Sequence, residues 1–488
     1  MPSTSTHTSN PMPTYQSLGV RPLINAGGTY TTMSGSRLLD VSARAMVEAS
    51  NGYVEIDELM EAVGRRLAEL TGAEWGYITN CCTSAINQVT AACIAGTDPE
   101  KIARLPDTSG MQDEVITLRQ NRTGFDHAIR MLGARIIPVD TEADLRAAIS
   151  ERTAMVFIVG DLEAQATIST DRMIAIAHEY GVPCLVDAAA QRPDVPNRYL
   201  EMGADAVAYS GGKCLRGPQA SGLVLGRKDL VMAAYLNAAP HGGEGRAMKI
   251  GKEEIMALLA AVEAWILGRD HEAEWHMWEG YLETIRRAVV DILSVDTAIE
   301  QPGVANVTPF LRITWDPAVL HCTPAEIHME LLGGEPRILV NLRADGLLVN
   351  PYMLEDGEAA IIARRLRELL DGRPAREPAP APETPAADLS GSWTIHIRFT
   401  RGQSDHSMTL TQEGHALKGT YRSQYGWGQV EGRIEGHAVN LRAMIPYEAS
   451  GTTYHFTGTI YGDTMQGTIP QGRLWTAEWT ARKLEGRR

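Results

Sequence analysis

The chain has 488 residues, a net charge of −15 from 45 basic and 60 acidic side chains, 13 histidines and six scattered cysteines. Such a length calls for two or three domains, the acidic balance disfavours a nucleic-acid partner, whose affinity comes from lysine and arginine on phosphates, and no run approaches the roughly 18 apolar residues of a membrane helix. Dispersed cysteines fit a reducing compartment, and histidines without an H-E-x-x-H or C-x-x-C companion lead us to expect no metal.

Residues 1–17 open with MPSTSTHTSNPMPTYQ, which has neither the basic nor the apolar part of a secretory signal, and read as the disordered tail of a cytoplasmic protein. From residue 18 helical periodicity alternates with short apolar runs. SARAMVEASN and IDELMEAVGRRLAELTGAE read as amphipathic helices, the second stopping at Gly72. EWGYITN, EVITLRQ, ARIIPVD, TAMVFIVG, PCLVDAAA, ADAVAYSGG and SGLVLGR read as strands, with helical segments such as STDRMIAIAHEYG between several of them. That alternation implies an α/β large domain with a mostly parallel sheet over residues 18–269. Part of its N-terminal segment is expected near a small α+β domain over 270–371. A proline–alanine linker, 372–387, follows.

Residues 388–488 switch to short alternating strands with turn pairs Glu413-Gly414, Glu435-Gly436 and Gly462-Asp463, the pattern of an antiparallel meander closing into a small barrel. The triplets KGT, EGR, TGT and QGT read as a repeated hairpin motif. Most of the barrel's aromatic residues are expected to fill its interior. This part carries eleven basic and nine acidic residues, about +2, so the acidity, about −17, belongs to the rest.

One stretch, YSGGKCLRGPQASG, places Lys213 directly after an apolar strand. A phosphate loop of the G-x-x-x-x-G-K-[ST] kind is excluded, because Val207 and Cys214 stand where its first glycine and its hydroxyl belong and Pro218 would break the following helix. A lysine at the C-terminal end of a parallel strand, with small neighbours that would let a planar ring approach, is instead a candidate for imine formation with pyridoxal phosphate. Asp187, closing PCLVD, can hold the ring nitrogen's proton. TNCCTSAINQVTAACIAG opens a helix with Thr83 and Ser84 in its first turn, and with Ser210 these are phosphate candidates. Asn121, Phe125 and His127 are possible ring covers, and Gln191 lies beyond Asp187 in the run DAAAQ.

Together the stretches LINAGGTYTTMSGS, IDELMEAVGRRLAELTGAE, DHAIRMLGA, HEYGVPCLVDAAAQ, YSGGKCLRGPQASGLVLGRKDL and GRAMKIGKEEIMALLAAVEAW resemble, in order, the fold-type I pyridoxal-phosphate enzymes of the group containing selenocysteine synthase and D-glucosaminate-6-phosphate ammonia-lyase. The resemblance implies Lys213 as imine lysine, Asp187 as ring-nitrogen partner, and Cys82, Thr83 and Ser210 as phosphate contacts, with Ser84, Asn121, Phe125 and Gln191 as further cofactor residues. It implies Thr29, Tyr30 and Arg246 at the substrate. A homodimer or higher oligomer with shared active sites is expected, with no nucleic-acid or membrane partner. The arginine that grips a substrate carboxylate in relatives aligns with Asn341, so Arg337 or Arg343 is expected in its place. The implied chemistry is a Cα carbanion of an amino acid or amino sugar acid, most naturally followed by α,β-elimination of ammonia. Aldolase, racemase and aminotransferase outcomes stay open, as does a non-catalytic binding role.

Overall fold

The structure, a computed structural model, describes residues 12–303, 307–374 and 382–484. Most of the expected tail and part of the expected linker lie outside those residues. The chain forms two compact units, Met1–Ala375 and Arg376–Arg488.

In the first unit, β1 is Leu23–Ala26, β2 Trp75–Thr79, β3 Glu114–Leu118, β4 Arg135–Val139, β5 Thr153–Val159, β6 Cys184–Asp187, β7 Ala206–Ser210 and β8 Gly222–Gly226. All seven runs read as strands of the large domain form one sheet in the order β2-β8-β7-β6-β5-β3-β4. Only β8 runs against its neighbours. The residues of β5 are buried throughout, as the run TAMVFIV requires of a strand covered on both faces. Helix Ile56–Thr71 buries Met60, Val63, Leu67 and Leu70, a 3.6-residue stripe, and ends at Gly72.

A second sheet holds β9 (Asp296–Glu300), β10 (Phe310–Thr314), β11 (Arg337–Leu342) and β12 (Gly346–Val349), in the order β1-β11-β12-β10-β9. Strand β1 pairs in parallel with β11, so the glycine turn that follows β1 is carried by this sheet. Helices His271–Val289 and Glu358–Leu370 pack their apolar stripes into the same core.

The second unit is a closed barrel of eight antiparallel strands, β13 (Gly391–Arg398), β14 (Gln403–Glu413), β15 (Ala416–Arg422), β16 (Trp427–Glu435), β17 (Ala438–Tyr447), β18 (Ser450–Tyr461), β19 (Thr464–Gln471) and β20 (Trp475–Lys483). Gly414, Gly436 and Gly462 turn with positive φ, the geometry the turn pairs foretold. Trp393, Tyr421, Phe456 and Trp479 fill the interior, whereas Tyr425, Trp427 and Trp475 are exposed. The recurring triplets are not hairpins. Gly419, Gly432, Gly458 and Gly467 lie within strands, where an added Cβ would strike the neighbouring strand's carbonyl oxygen. They allow the close backbone approach and bending of a small closed sheet. Among the described residues no helix is long and apolar enough to cross a membrane.

Candidate active site

Strands β2, β5, β6 and β7 share one direction, so their C-terminal ends meet at one edge of the sheet. There the chain brings Asp161 just past β5, Asp187 at the end of β6, Ser210 at the end of β7 and the start of helix Cys82–Ala95 after β2. Together with Lys213 they border a cavity of about 250 Å³, to which Thr83 and Phe125 also contribute. Ligands of open α/β sheets collect at such an edge.

The loop after β7 folds on itself to present the lysine. Gly217 N–H donates to Gly211 O at 2.9 Å and Arg216 N–H to Lys213 O at 3.0 Å. A Cβ on Gly211 would stand 2.0 Å from Ser221 Oγ, and one on Gly212 would stand 2.6 Å from Gln219 Cα. These glycines are therefore demanded by the loop's own packing, and Gly212 also borders the lysine cavity. Lys213 is left half-buried between two cavities.

Asp187 is 6% exposed. Its Oδ1 accepts from the Ala189 N–H at 3.0 Å and from Cys82 Sγ at 3.3 Å. Burial pushes this carboxyl above its ordinary range, and the Cys82 thiol, the Ala189 amide and Lys213 oppose the rise. Asp161, which the sequence reading missed, is held up to about 6, by burial first and then by the charge of Asp187. Its Oδ1 is buried without a hydrogen-bond partner. The signal was available, because Asp161 follows a fully buried strand as Asp187 does.

Thr83 and Ser210 border the lysine cavity, and Phe125 borders both it and a second cavity of about 650 Å³. Ser84 lies inside the helix start, its hydroxyl donating to Asn80 Oδ1 and contacting the Cys81 thiol. Asn121 is buried and borders neither cavity, while His127 is exposed on the short helix His127–Arg130. Gln191 is buried behind the site, its Oε1 accepting from Tyr199 OH at 2.8 Å. In the second cavity stand Thr29, Tyr30, Asn341, Arg343, Asn350 and Lys213. Arg337, at the opposite end of β11, donates to Leu332 O at 3.1 Å and borders neither cavity. Arg246 is exposed on a short turn and borders neither.

One cluster of metal-ligand types occurs among the described residues, His178, Cys184 and Asp205, with ligand atoms within 4.8 Å. Asp205 is already committed there, accepting from Arg227 at 2.6 Å and from the Cys184 N–H at 2.7 Å.

The donor set at the lysine cavity fits pyridoxal 5'-phosphate. It offers an amine for the aldehyde, a buried carboxylate for the ring nitrogen, and, for the phosphate, the first turn of a 14-residue helix with the Thr83 hydroxyl. The family described as Cys/Met metabolism PLP-dependent enzyme matches residues 56–269. D-glucosaminate-6-phosphate ammonia lyase of Salmonella typhimurium (strain 14028s / SGSC 2262) is 32% identical over 371 residues, 73% of this chain and 98% of that protein. A 5'-C-glycyluridine monooxygenase-decarboxylase of Streptomyces sp is 32% identical over 374 residues, 73% of this chain and 92% of that protein. A solved structure of D-glucosaminate-6-phosphate ammonia-lyase matches with a TM-score of 0.65 at 32% identity, over 73% of this chain and 98% of that one. On these similarities the chain belongs to the fold-type I pyridoxal-phosphate enzymes, in the family of D-glucosaminate-6-phosphate ammonia lyase.

Proposed function

We propose that the protein is an ammonia-lyase that removes ammonia from an amino sugar acid or a related β-hydroxy amino acid, the water lost with the β-hydroxyl being taken up again when the resulting enamine hydrolyses to the keto acid. The observation that carries this reading is Lys213 standing between the two cavities, one with the cofactor's donor set and the other lined by hydroxyl and amide groups that suit a polyhydroxylated chain.

Bound at the first cavity, pyridoxal phosphate supplies an electron sink for the breaking Cα–H bond. Lys213 would anchor the cofactor, and its amine, when free, would take the substrate's Cα proton and return a proton to the departing β-hydroxyl. Asp187 keeps the ring nitrogen protonated. Thr83, Ser210 and the helix start would hold the phosphate, Phe125 would serve as a ring cover, and Thr29, Tyr30 and Arg343 would orient the substrate. We assign Arg246 to a neighbouring copy's active site in a homodimer, because it is exposed and borders neither cavity of its own chain. The reading includes a cytoplasmic location, consistent with six free cysteines.

A second reading, a bond-breaking step at the carboxylate with oxygen consumed, draws support from the equal similarity to the monooxygenase-decarboxylase. Incubating the cofactor-loaded protein with D- and L-amino acids and amino sugar acids, and following ammonia, carbon dioxide and oxygen, separates the two. Ammonia release without oxygen uptake, abolished in Lys213→Ala, is the expected result; carbon dioxide release with oxygen uptake selects the second reading, and turnover surviving in Lys213→Ala rejects both.

A further inference from the structure

We propose that Cys82 is a positioning residue for the cofactor ring, its thiol fixing the orientation and the charge of Asp187 rather than contacting the phosphate. The inference rests on the reading that pyridoxal phosphate sits at Lys213 and Asp187.

The residues are 105 apart in sequence, yet Cys82 Sγ lies 3.3 Å from Asp187 Oδ1, a normal length for a sulfur donor. The Ala189 N–H converges on the same oxygen. Two donors on Oδ1 lock the carboxylate's rotation and leave Oδ2 for a ring nitrogen. The approach is built in by the fold: Gly222, opening β8, leaves the Cys81–Cys82 turn room against the sheet, since a Cβ there would stand 2.5 Å from the Cys81 carbonyl carbon. The helix start then turns the Cys82 side chain toward β6, while Thr83 remains for an anion; the Ser84 N–H of the same turn donates to Cys81 Sγ at 3.4 Å. Cys82 is 6% exposed. Its thiol, pushed well up by burial and then by Asp187, stays protonated and is therefore a donor at neutral pH.

Loss of one donor leaves a buried carboxylate that takes a proton more readily. A protonated Asp187 no longer accepts from the ring nitrogen, and the ring's capacity to hold electrons falls. Cys82→Ser keeps a donor; Cys82→Ala removes it, and Cys82→Val removes it while filling the volume.

The test loads the full-length protein with pyridoxal phosphate carrying a nitrogen-15 ring label and follows the ring-nitrogen resonance with pH. Wild type is expected to show a protonated ring at neutral pH. Cys82→Ala, or Cys82→Val where alanine does not take up cofactor, is expected to lower the ratio of protonated to unprotonated ring by about tenfold, and Cys82→Ser is expected to restore it. A protonated ring in both donor-free variants, with cofactor affinity reduced instead, overturns the inference in favour of a phosphate contact. A wild type whose bound cofactor shows no imine absorbance that Lys213→Ala removes overturns the underlying reading instead.

Discussion

Asn341 Nδ2 donates to Gly27 O at 2.8 Å, tying the end of β11 to the glycine turn after β1. On the other side of the same turn, Asn25 Oδ1 accepts from the N–H groups of Gly27 and Gly28 at 3.0 and 3.1 Å. Gly28 has a φ of +114°, and a Cβ there would stand 3.1 Å from Asn350 Nδ2. Asparagines thus enclose the turn that presents Thr29 and Tyr30 to the second cavity. Position 341, where the resemblance leads to the expectation of a substrate arginine, is here a brace. Asn341→Ala is expected to raise KM about tenfold with a smaller change in kcat, and to cost about 1 kcal/mol of stability. Steady-state ammonia release and urea unfolding check both; an unchanged KM would show that the turn holds its shape without Asn341.

With Asn341 committed, we propose that an anionic end of the substrate falls to Arg343. Residues 341 and 343 lie two apart at the end of β11, and both border the second cavity. Arg337 instead supports the Leu332 carbonyl. Arg343→Ala is expected to raise KM for an anionic substrate by about ten- to a hundredfold, the worth of a charge-assisted hydrogen bond. Arg337→Ala should leave KM within about twofold and lower stability by about 1 kcal/mol. The reverse pattern in paired kinetics and unfolding would move the anion site to the other end of the strand.

Much of this architecture is legible in the residues, and the parts that are not have a common cause. Fully buried runs such as TAMVFIV and the alternation of SWTIHIRF announce their strands because one or both faces must be apolar. Lys213 and Asp187 stand out because polar groups closing apolar strands point to the site edge. The Cys82–Asp187 hydrogen bond and the Asn341 brace depend on which strands become neighbours, a matter of sheet order that local periodicity does not carry. The triplet glycines misled for the same reason: glycine marks a hairpin or a close approach equally well, and the partner strand decides between them.

Asp161 gives the site a pH dependence of its own. Its carboxyl is raised from 3.8 to about 6, by burial and by Asp187, with Lys213 opposing. Between those values the native state keeps a proton that the unfolded chain has lost, so this group's contribution to stability falls as pH rises and stays at its minimum above about 6. Asp161→Asn removes that penalty. In cofactor-free protein the variant should match wild type near pH 4 and exceed it by about 1–3 kcal/mol near pH 7. Denaturant unfolding at a series of pH values measures the gap, and a gap that does not grow with pH would mean that Asp161 ionises normally.

The barrel should fold by itself. Its core, including Leu389, Trp393, Phe456 and Trp479, comes entirely from residues of the second unit, and closure leaves no unpaired edge. Inside it His406 is buried, its Nε2 2.7 Å from Ser404 Oγ and its Nδ1 hydrogen bonded to Tyr421 OH. Burial pushes this imidazole below its ordinary value, with Asp405 opposing. A depressed histidine favours the native state fully above the unfolded pKa of about 6.5, and that contribution is lost as pH falls. A fragment of residues 382–488 is expected to unfold cooperatively, with a tryptophan near-ultraviolet signal, and to lose stability on acidification below about pH 6.5. His406→Gln, which keeps a hydrogen-bonding side chain without the titration, should flatten the part of that loss due to His406. An unfolded fragment would tie the barrel's stability to the rest of the chain, and an acid profile identical in His406→Gln would place the sensitive group elsewhere.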